Sequence, residues 1–156
     1  PRFLAGEGPA FGPSRRTLSN AMDVGAPSNF ERLEALLGAQ LAQWIWGTSV
    51  SDTETLESIQ RVYASTGYVA DPHTAVGLEA ARRYRETTGD RTPLVVLATA
   101  HPAKFPEIVR RALGFEPQMP ERLARLWEAE TSVVRLEATL EALKTHLLPH
   151  VVATRT

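Results

Sequence analysis

One run of five apolar residues constrains the fold more than any other part of this 156-residue chain. Leu94–Ala98 follows Pro93 and is apolar throughout, which favours a strand that is covered on both faces of a sheet. Such a strand needs neighbours that pair with its N–H and C=O groups. The chain offers only one other strand candidate, Tyr68–Ala70, so we expect the remaining strands to lie on chain outside this sequence.

Most of the other segments predict helices, because capping residues flank stretches with helical spacing. Ser28 with Glu31, and Ser51 with Glu54, have the spacing of capping boxes. The predicted helices run from about 29 to 46 with Gly38 as a point of interruption, from Ser51 to before Gly67, from Asp71 to before Gly89, from Pro106 to before Gly114, from about 120 to 130, and from about 133 to a stop at Pro149.

Composition narrows the class of protein. Hydrophobic residues make up 43% and charged residues 22%, which is typical of a globular protein, and no apolar run approaches the roughly 20 residues of a membrane span. The net charge of −1 argues against nucleic acid or an anionic membrane as a partner. The absence of cysteine excludes disulfides and indicates a reducing, cytoplasmic compartment. Because the chain begins at Pro1 with a loop rich in glycine and proline, we expect it to be part of a longer protein.

The segment that follows the predicted strand is the first candidate site. Ligands of open α/β sheets lie beyond the carboxyl ends of the strands, where Thr99 and His101 would lie, with Lys104 close to the next helix start. This arrangement suits an anionic ligand. An ordinary turn, with threonine at the strand end and lysine in solvent, explains the same residues.

Two further segments carry candidate polar groups. In Asp71–Gly77, a helix start supplies free N–H groups while His73 and Thr74 supply polar side chains, although taken by itself the segment is better explained by a capped helix with His73 in water. Thr17–Arg32 is dense in polar residues that could line a pocket or simply lead into a helix. His146 and His150 are four residues apart, but no third ligand lies nearby, so no metal site is predicted.

Taken together, three segments resemble one family. Thr17–Arg32 (TLSNAMDVGAPSNFER), Asp71–Gly77 (DPHTAVG) and Thr99–Phe105 (TAHPAKF), in this order and spacing, are similar to the C-terminal part of threonine synthases. The resemblance spans nearly the whole chain. It implies an α/β protein, the C-terminal part of a fold-type II pyridoxal-phosphate enzyme, mostly helical with few strands in this portion.

The resemblance also implies an activity for the intact chain. Threonine synthases are pyridoxal-phosphate lyases that convert O-phospho-L-homoserine and water to L-threonine and phosphate. The family's Schiff-base lysine and its loop for the cofactor phosphate would precede Pro1, and neither Lys104 nor Lys144 lies in the family's lysine motif. No catalytic residue is therefore assigned in this chain, and the 156 residues alone are expected to be inactive without the missing N-terminal part.

The resemblance assigns binding residues within the chain. Thr99 would face the pyridine nitrogen of the cofactor, with Ala100 beside it. His73, Thr74, His101 and Lys104 would lie on the substrate side, Lys104 facing either the substrate phosphate or an internal carboxylate.

The resemblance divides the chain at two positions and leaves two rivals open. Residues 1–26 would be a pocket-lining loop, 27–115 part of the pyridoxal-phosphate domain and 116–156 C-terminal helices. One rival function is that of another pyridoxal-phosphate lyase or dehydratase of the same fold. The other is a helical interaction module without a cofactor.

Overall fold

The computed structural model describes residues 12–152, which contain seven α-helices and no β-strand. Short 3₁₀ turns precede α1, separate α1 from α2 and precede α5. None of the helices in the described range is long and apolar enough to cross a membrane. The helices are α1 (Phe30–Leu37), α2 (Leu41–Trp44), α3 (Asp52–Thr66), α4 (Pro72–Thr88), α5 (Pro106–Leu113), α6 (Glu121–Glu128) and α7 (Leu140–Val152).

The chain divides between Met119 and Pro120 into two units. Within the described residues the first unit contains α1 to α5 and the second contains α6 and α7. The domain divisions predicted at residues 26 and 115 stay a prediction.

The core of the first unit lies where α3 packs against α4 and α5. Its buried members are Ile59 on α3, Ala70 before α4, Ala75 on α4 and Ala112 on α5. Polar side chains of α3 join the helices: the Ser58 hydroxyl donates to the carbonyl of Ala75 at 3.0 Å, and Gln60 Nε2 donates to that of Ala112 at 2.8 Å. Because alanine is small, α4 and α5 approach α3 closely at these two points.

Local capping sets the bounds of the core helices, as the sequence predicts. Ser51 caps α3 in a capping box with Glu54, and Asp71 caps α4 with Pro72 as its first residue. At their ends α3 and α4 are followed by Gly67 and Gly89, whose φ angles of 72° and 70° lie in the left-handed region that favours glycine. The predicted bounds of α5, and the interruption of the first helix at Gly38, are also confirmed.

Three helix ends differ from the prediction. Ser28 does not cap α1, because the residue before the helix is Asn29 and its side chain makes no capping hydrogen bond. The last helix begins at Leu140 and not near 133. At this observed start, Thr139 Oγ1 accepts a hydrogen bond from the N–H of Ala142 at 3.2 Å. The predicted stop at Pro149 is wrong, since α7 continues through it to Val152.

Leu94–Ala98 is predicted as a strand whose neighbours lie outside this chain, and it forms no strand within residues 12–152, where none pairs with it. Val96 is half-buried against α4, where a Cβ at Gly77 would lie 3.0 Å from its Cγ1. Val95 and Leu97 on either side are 89% and 75% exposed. One side of the segment therefore packs on α4 and the other is exposed. Tyr68–Ala70, the other strand candidate, forms no strand either and links α3 to α4.

A buried carboxylate, that of Glu79, joins α3 and α4. Glu79 is 3% exposed and receives hydrogen bonds from Arg61 of α3 at 2.5 Å, from Arg82 at 2.7 Å and from Arg83 at 2.9 Å. The hydrogen bond from Arg82 is the main reason that the pKa of Glu79 falls from its usual 4.5 to about 2. Arg83 also pairs with Glu54, so the same network reaches the start of α3.

Replacing Glu79 by glutamine should lower the free energy of unfolding by about 2–3 kcal/mol, because three guanidinium groups lose a buried counter-charge while staying partly hydrated. The matched control is Glu86→Gln on the same helix, which removes an exposed partner of the same Arg82 and should cost about 0–1 kcal/mol. Urea-induced unfolding measures both changes. Equal losses would contradict the assignment of Glu79 as the buried counter-charge of the three arginines.

The same pair of variants tests the pH dependence. A carboxylate with a lowered pKa in the folded state stabilises the fold above its unfolded pKa, and this contribution is lost as pH falls. For Glu79 the loss should extend from about pH 4.5 to about pH 2, and Glu79→Gln should lack it. Persistence of the full acid dependence in Glu79→Gln would contradict the assignment.

Candidate functional site

The carboxylate of Asp71 organises the start of α4. It is fully buried, and Oδ1 accepts the backbone N–H groups of His73 at 2.9 Å and Thr74 at 3.4 Å. The Thr74 hydroxyl donates to Oδ2, while Nδ1 of the His73 ring lies 3.0 Å from Oδ1. One acidic residue thus caps the helix and binds the two polar side chains that follow it.

Both ring nitrogens of His73 are engaged. An ionised carboxylate only accepts hydrogen bonds, so Nδ1 carries the proton shared with Asp71. Nε2 accepts the backbone N–H of Ala21 at 3.1 Å and is therefore unprotonated. The side chain is only 7% exposed, so the alternative of a histidine in water is wrong.

Residues 17–23 form a folded loop over this helix start. Thr17 donates its N–H and its hydroxyl to Asp23, each at 2.7 Å, and the hydroxyl bond is the main cause of a lowered pKa at Asp23. The N–H of Leu18 donates to Oδ1 of Asp52 on α3 at 3.0 Å. A 3₁₀ turn at Asn20–Met22 then brings the N–H of Ala21 to His73.

Beside this loop lies a cavity of about 440 Å³, lined by residues 12–15 and 22–25. These lining residues belong to the loop 1–26, which the sequence predicts to line a pocket. Residues 1–11 of that loop lie outside the described residues.

The segment after residue 98 presents polar groups to solvent. Thr99 is exposed, and its hydroxyl has no hydrogen-bond partner among the described residues. His101 uses Nδ1 to accept the N–H of Ala103 at 3.1 Å, which leaves Nε2 as the nitrogen that carries the proton in the neutral ring. Lys104 is exposed at the end of the Pro102–Lys104 turn and forms no ion pair within the same range.

Phe105 connects that turn to the other two motifs. Its ring centroid lies 5.0 Å from that of His73, with the ring planes at 52°. All three segments that the sequence singles out therefore meet at His73: Ala21 by a hydrogen bond, Asp71 by another and Phe105 by ring contact.

The predicted absence of a metal site at His146 and His150 stays a prediction. The two rings lie 5.4 Å apart on α7, and no group of three possible ligands occurs in the described part of the chain.

Sequence reasoning missed two members of this cluster. Asp71 was predicted as a helix cap only, although a carboxylate two residues before a histidine is also placed to bind its ring. Phe105 was predicted only as part of a motif, because ring contact across 32 residues of chain leaves no local pattern.

The chain is similar to known proteins of one family. The family described as "Threonine synthase, C-terminal" matches residues 74–147. The threonine synthase of Pseudomonas aeruginosa is 33% identical over 96% of this chain and 37% of its own length, and that of Escherichia coli K12 is 34% identical over 96% and 35%. The chain thus spans little more than a third of the length of these relatives.

Solved structures give the same result. The crystal structure of Escherichia coli threonine synthase matches 96% of this chain with a TM-score of 0.71 and 32% identity, over 35% of that structure. The structure of threonine synthase from Brucella melitensis with bound PLP matches 90% with a TM-score of 0.62.

The fold is therefore that of the C-terminal part of a fold-type II pyridoxal-phosphate enzyme, and its mostly helical character follows from the portion that is present. Within that class, the chain belongs to the threonine synthase family, as its C-terminal portion.

Proposed function

We propose that the full-length protein containing this chain converts O-phospho-L-homoserine and water to L-threonine and phosphate, with pyridoxal phosphate as cofactor. The observation that carries the proposal is the meeting of all three family motifs at His73, in a chain related to threonine synthases over nearly its whole length. The absence of cysteine supports a cytoplasmic location.

The Thr99 hydroxyl is suited to the pyridine nitrogen of that cofactor. Its hydroxyl has no partner within residues 12–152, and a neutral hydroxyl can donate to an unprotonated pyridine nitrogen without supplying charge. Thr99 and the neighbouring Ala100 are therefore the proposed cofactor-binding residues. When bound, the cofactor supplies an electron sink for carbanions next to the amino group.

The cofactor-binding lysine is proposed to lie on another part of the full-length protein. The chain has two lysines, and neither Lys104 nor Lys144 lies in the family's lysine motif. We therefore expect a polypeptide of residues 1–156 alone to release no phosphate from O-phospho-L-homoserine in a phosphate-release assay. Turnover by that polypeptide would overturn this part of the proposal.

Two exposed groups on one turn suit an anionic substrate. Lys104 supplies a positive charge, and His101 presents the ring nitrogen that its contact with Ala103 leaves free. The sequence also predicts contact between the substrate and His73 or Thr74. Such a contact would require His73 to break its hydrogen bond to Asp71 or Ala21, or Thr74 to break its hydrogen bond to Asp71. The proposal therefore assigns substrate contact to His101 and Lys104.

The two rival functions receive less support. A cofactor-free helical module leaves the three converging motifs without a role. Another pyridoxal-phosphate lyase or dehydratase shares the cofactor residues and differs in its substrate, so assays with unphosphorylated hydroxy-amino acids distinguish it.

Replacing Thr99 by valine keeps the side-chain shape and removes the proposed hydrogen bond. Cofactor affinity of the full-length protein should fall by about 5- to 150-fold, which corresponds to about 1–3 kcal/mol for the loss of one buried partner. Thr99→Ser should stay close to the wild type, whereas Thr99→Asp should favour a protonated ring nitrogen and change the cofactor's absorbance. Titration of cofactor into apo-protein, followed by absorbance, measures all three.

Wild-type behaviour of both Thr99→Val and Thr99→Asp in that titration would show that Thr99 does not contact the ring nitrogen. Because affinity and absorbance are measured without substrate, this result does not depend on which reaction the protein catalyses.

Replacing Lys104 by glutamine should lower kcat/KM for the phosphorylated substrate by about 10- to 150-fold, since a hydrogen bond to a charged group contributes about 1.5–3 kcal/mol. The matched control is Lys144→Gln, the chain's only other lysine, which is exposed on α7 and pairs with Glu141. Inhibition by inorganic phosphate should weaken in parallel for Lys104→Gln alone. A loss of stability with unchanged KM and phosphate inhibition would instead indicate an internal carboxylate as its partner.

A further inference from the structure

We propose that His73 is a positioning residue, held in one tautomer by Asp71, that fixes the Asn20–Met22 turn against α4 and supports Phe105 at the end of the Pro102–Lys104 turn. The inference rests on the proposed function, because it gives the turn carrying His101 and Lys104 a fixed support. It assigns His73 a role through its neighbours and not through the substrate.

The first support is the direction of the two hydrogen bonds at the ring. Asp71 is fully buried and can only accept, so the proton of the neutral ring lies on Nδ1. The lone pair of Nε2 therefore faces outward from α4, where it meets the N–H of Ala21 at 3.1 Å. Had the ring its proton on Nε2, two donors would face each other and this bond would not form.

The second support is that this N–H has no role within its own turn. The turn closes through Met22 N–H to the carbonyl of Ser19 at 3.0 Å and through Asp23 N–H to that of Asn20 at 3.2 Å. The N–H of Ala21 is left over, and His73 is the partner that satisfies it. The side chain thus recognises the folded turn.

The third support is the position of the ring between two segments that are distant in sequence. Ala21 lies 52 residues before His73, and Phe105 contacts the ring with a centroid separation of 5.0 Å. The ring itself is nearly enclosed, with 7% of the side chain exposed. Enclosure and two satisfied nitrogens suit a spacer between segments better than a group that exchanges partners with each substrate molecule.

Two substitutions separate the two hydrogen bonds of the ring. In His73→Gln the side-chain carbonyl reaches the position of Nε2 and can accept from Ala21. In His73→Asn the shorter amide reaches only the position of Nδ1 and can donate only to Asp71. Both variants remove the ring that contacts Phe105, and they differ in which bond remains: the bond to the turn in His73→Gln and the bond to Asp71 in His73→Asn.

Amide hydrogen exchange in the full-length protein, measured without substrate, tests the proposal. His73→Asn should speed exchange in the peptide covering residues 17–24 by about 2- to 10-fold, the range expected for one lost hydrogen bond, while His73→Gln should stay closer to the wild type. Activity should follow the same order, with kcat/KM lower in His73→Asn and partly restored in His73→Gln. Equal exchange in the two variants and the wild type would overturn the proposal.

A measurement on the wild type covers the case in which a variant does not fold. Selective ¹⁵N labelling of histidine reports which ring nitrogen carries the proton, and the proposal requires the proton on Nδ1 of His73. A proton on Nε2 would overturn it. Since neither exchange nor tautomer depends on turnover, a correct positioning role remains visible even if the proposed reaction is wrong.

Discussion

The buried carboxylate of Asp71 is the interaction on which the rest of the first unit depends. A desolvated charge is costly unless hydrogen bonds surround it, and the chain supplies them from the backbone and side chains of His73 and Thr74. Satisfying that charge starts α4, holds the Thr74 hydroxyl and orients the imidazole at the same time. The position of the loop around Ala21 follows from that orientation.

Two histidines of the chain illustrate how neighbours decide what one residue type does. His73 faces a carboxylate through Nδ1 and accepts through Nε2, which leaves it no free polar atom. His101 accepts through Nδ1 from Ala103 and keeps its other nitrogen exposed. One is suited to holding protein segments together and the other to contacting a ligand, and their hydrogen bonds and exposure distinguish them.

Features with local causes could be predicted from the sequence, and features that need distant partners could not. Ser51, Asp71 and the glycines after α3 and α4 act within one helix turn, so those bounds were correct. Leu94–Ala98 was expected in a sheet, but a strand forms only where another pairs with it, and the described residues hold none. In the site, three motifs were found as strings of residues, whereas the contact of Phe105 with His73 required the fold.

The missing side chain of Gly77 sets how close the extended segment can approach α4. Val96 already lies where a Cβ at that position would be at 3.0 Å, a separation that leaves no slack. Thr99 follows Val96 by only three residues along the chain. The absence of a side chain at Gly77 therefore influences how close to α4 the Thr99 hydroxyl lies. Gly77 has no functional group, yet it helps to set the position of the Thr99 hydroxyl.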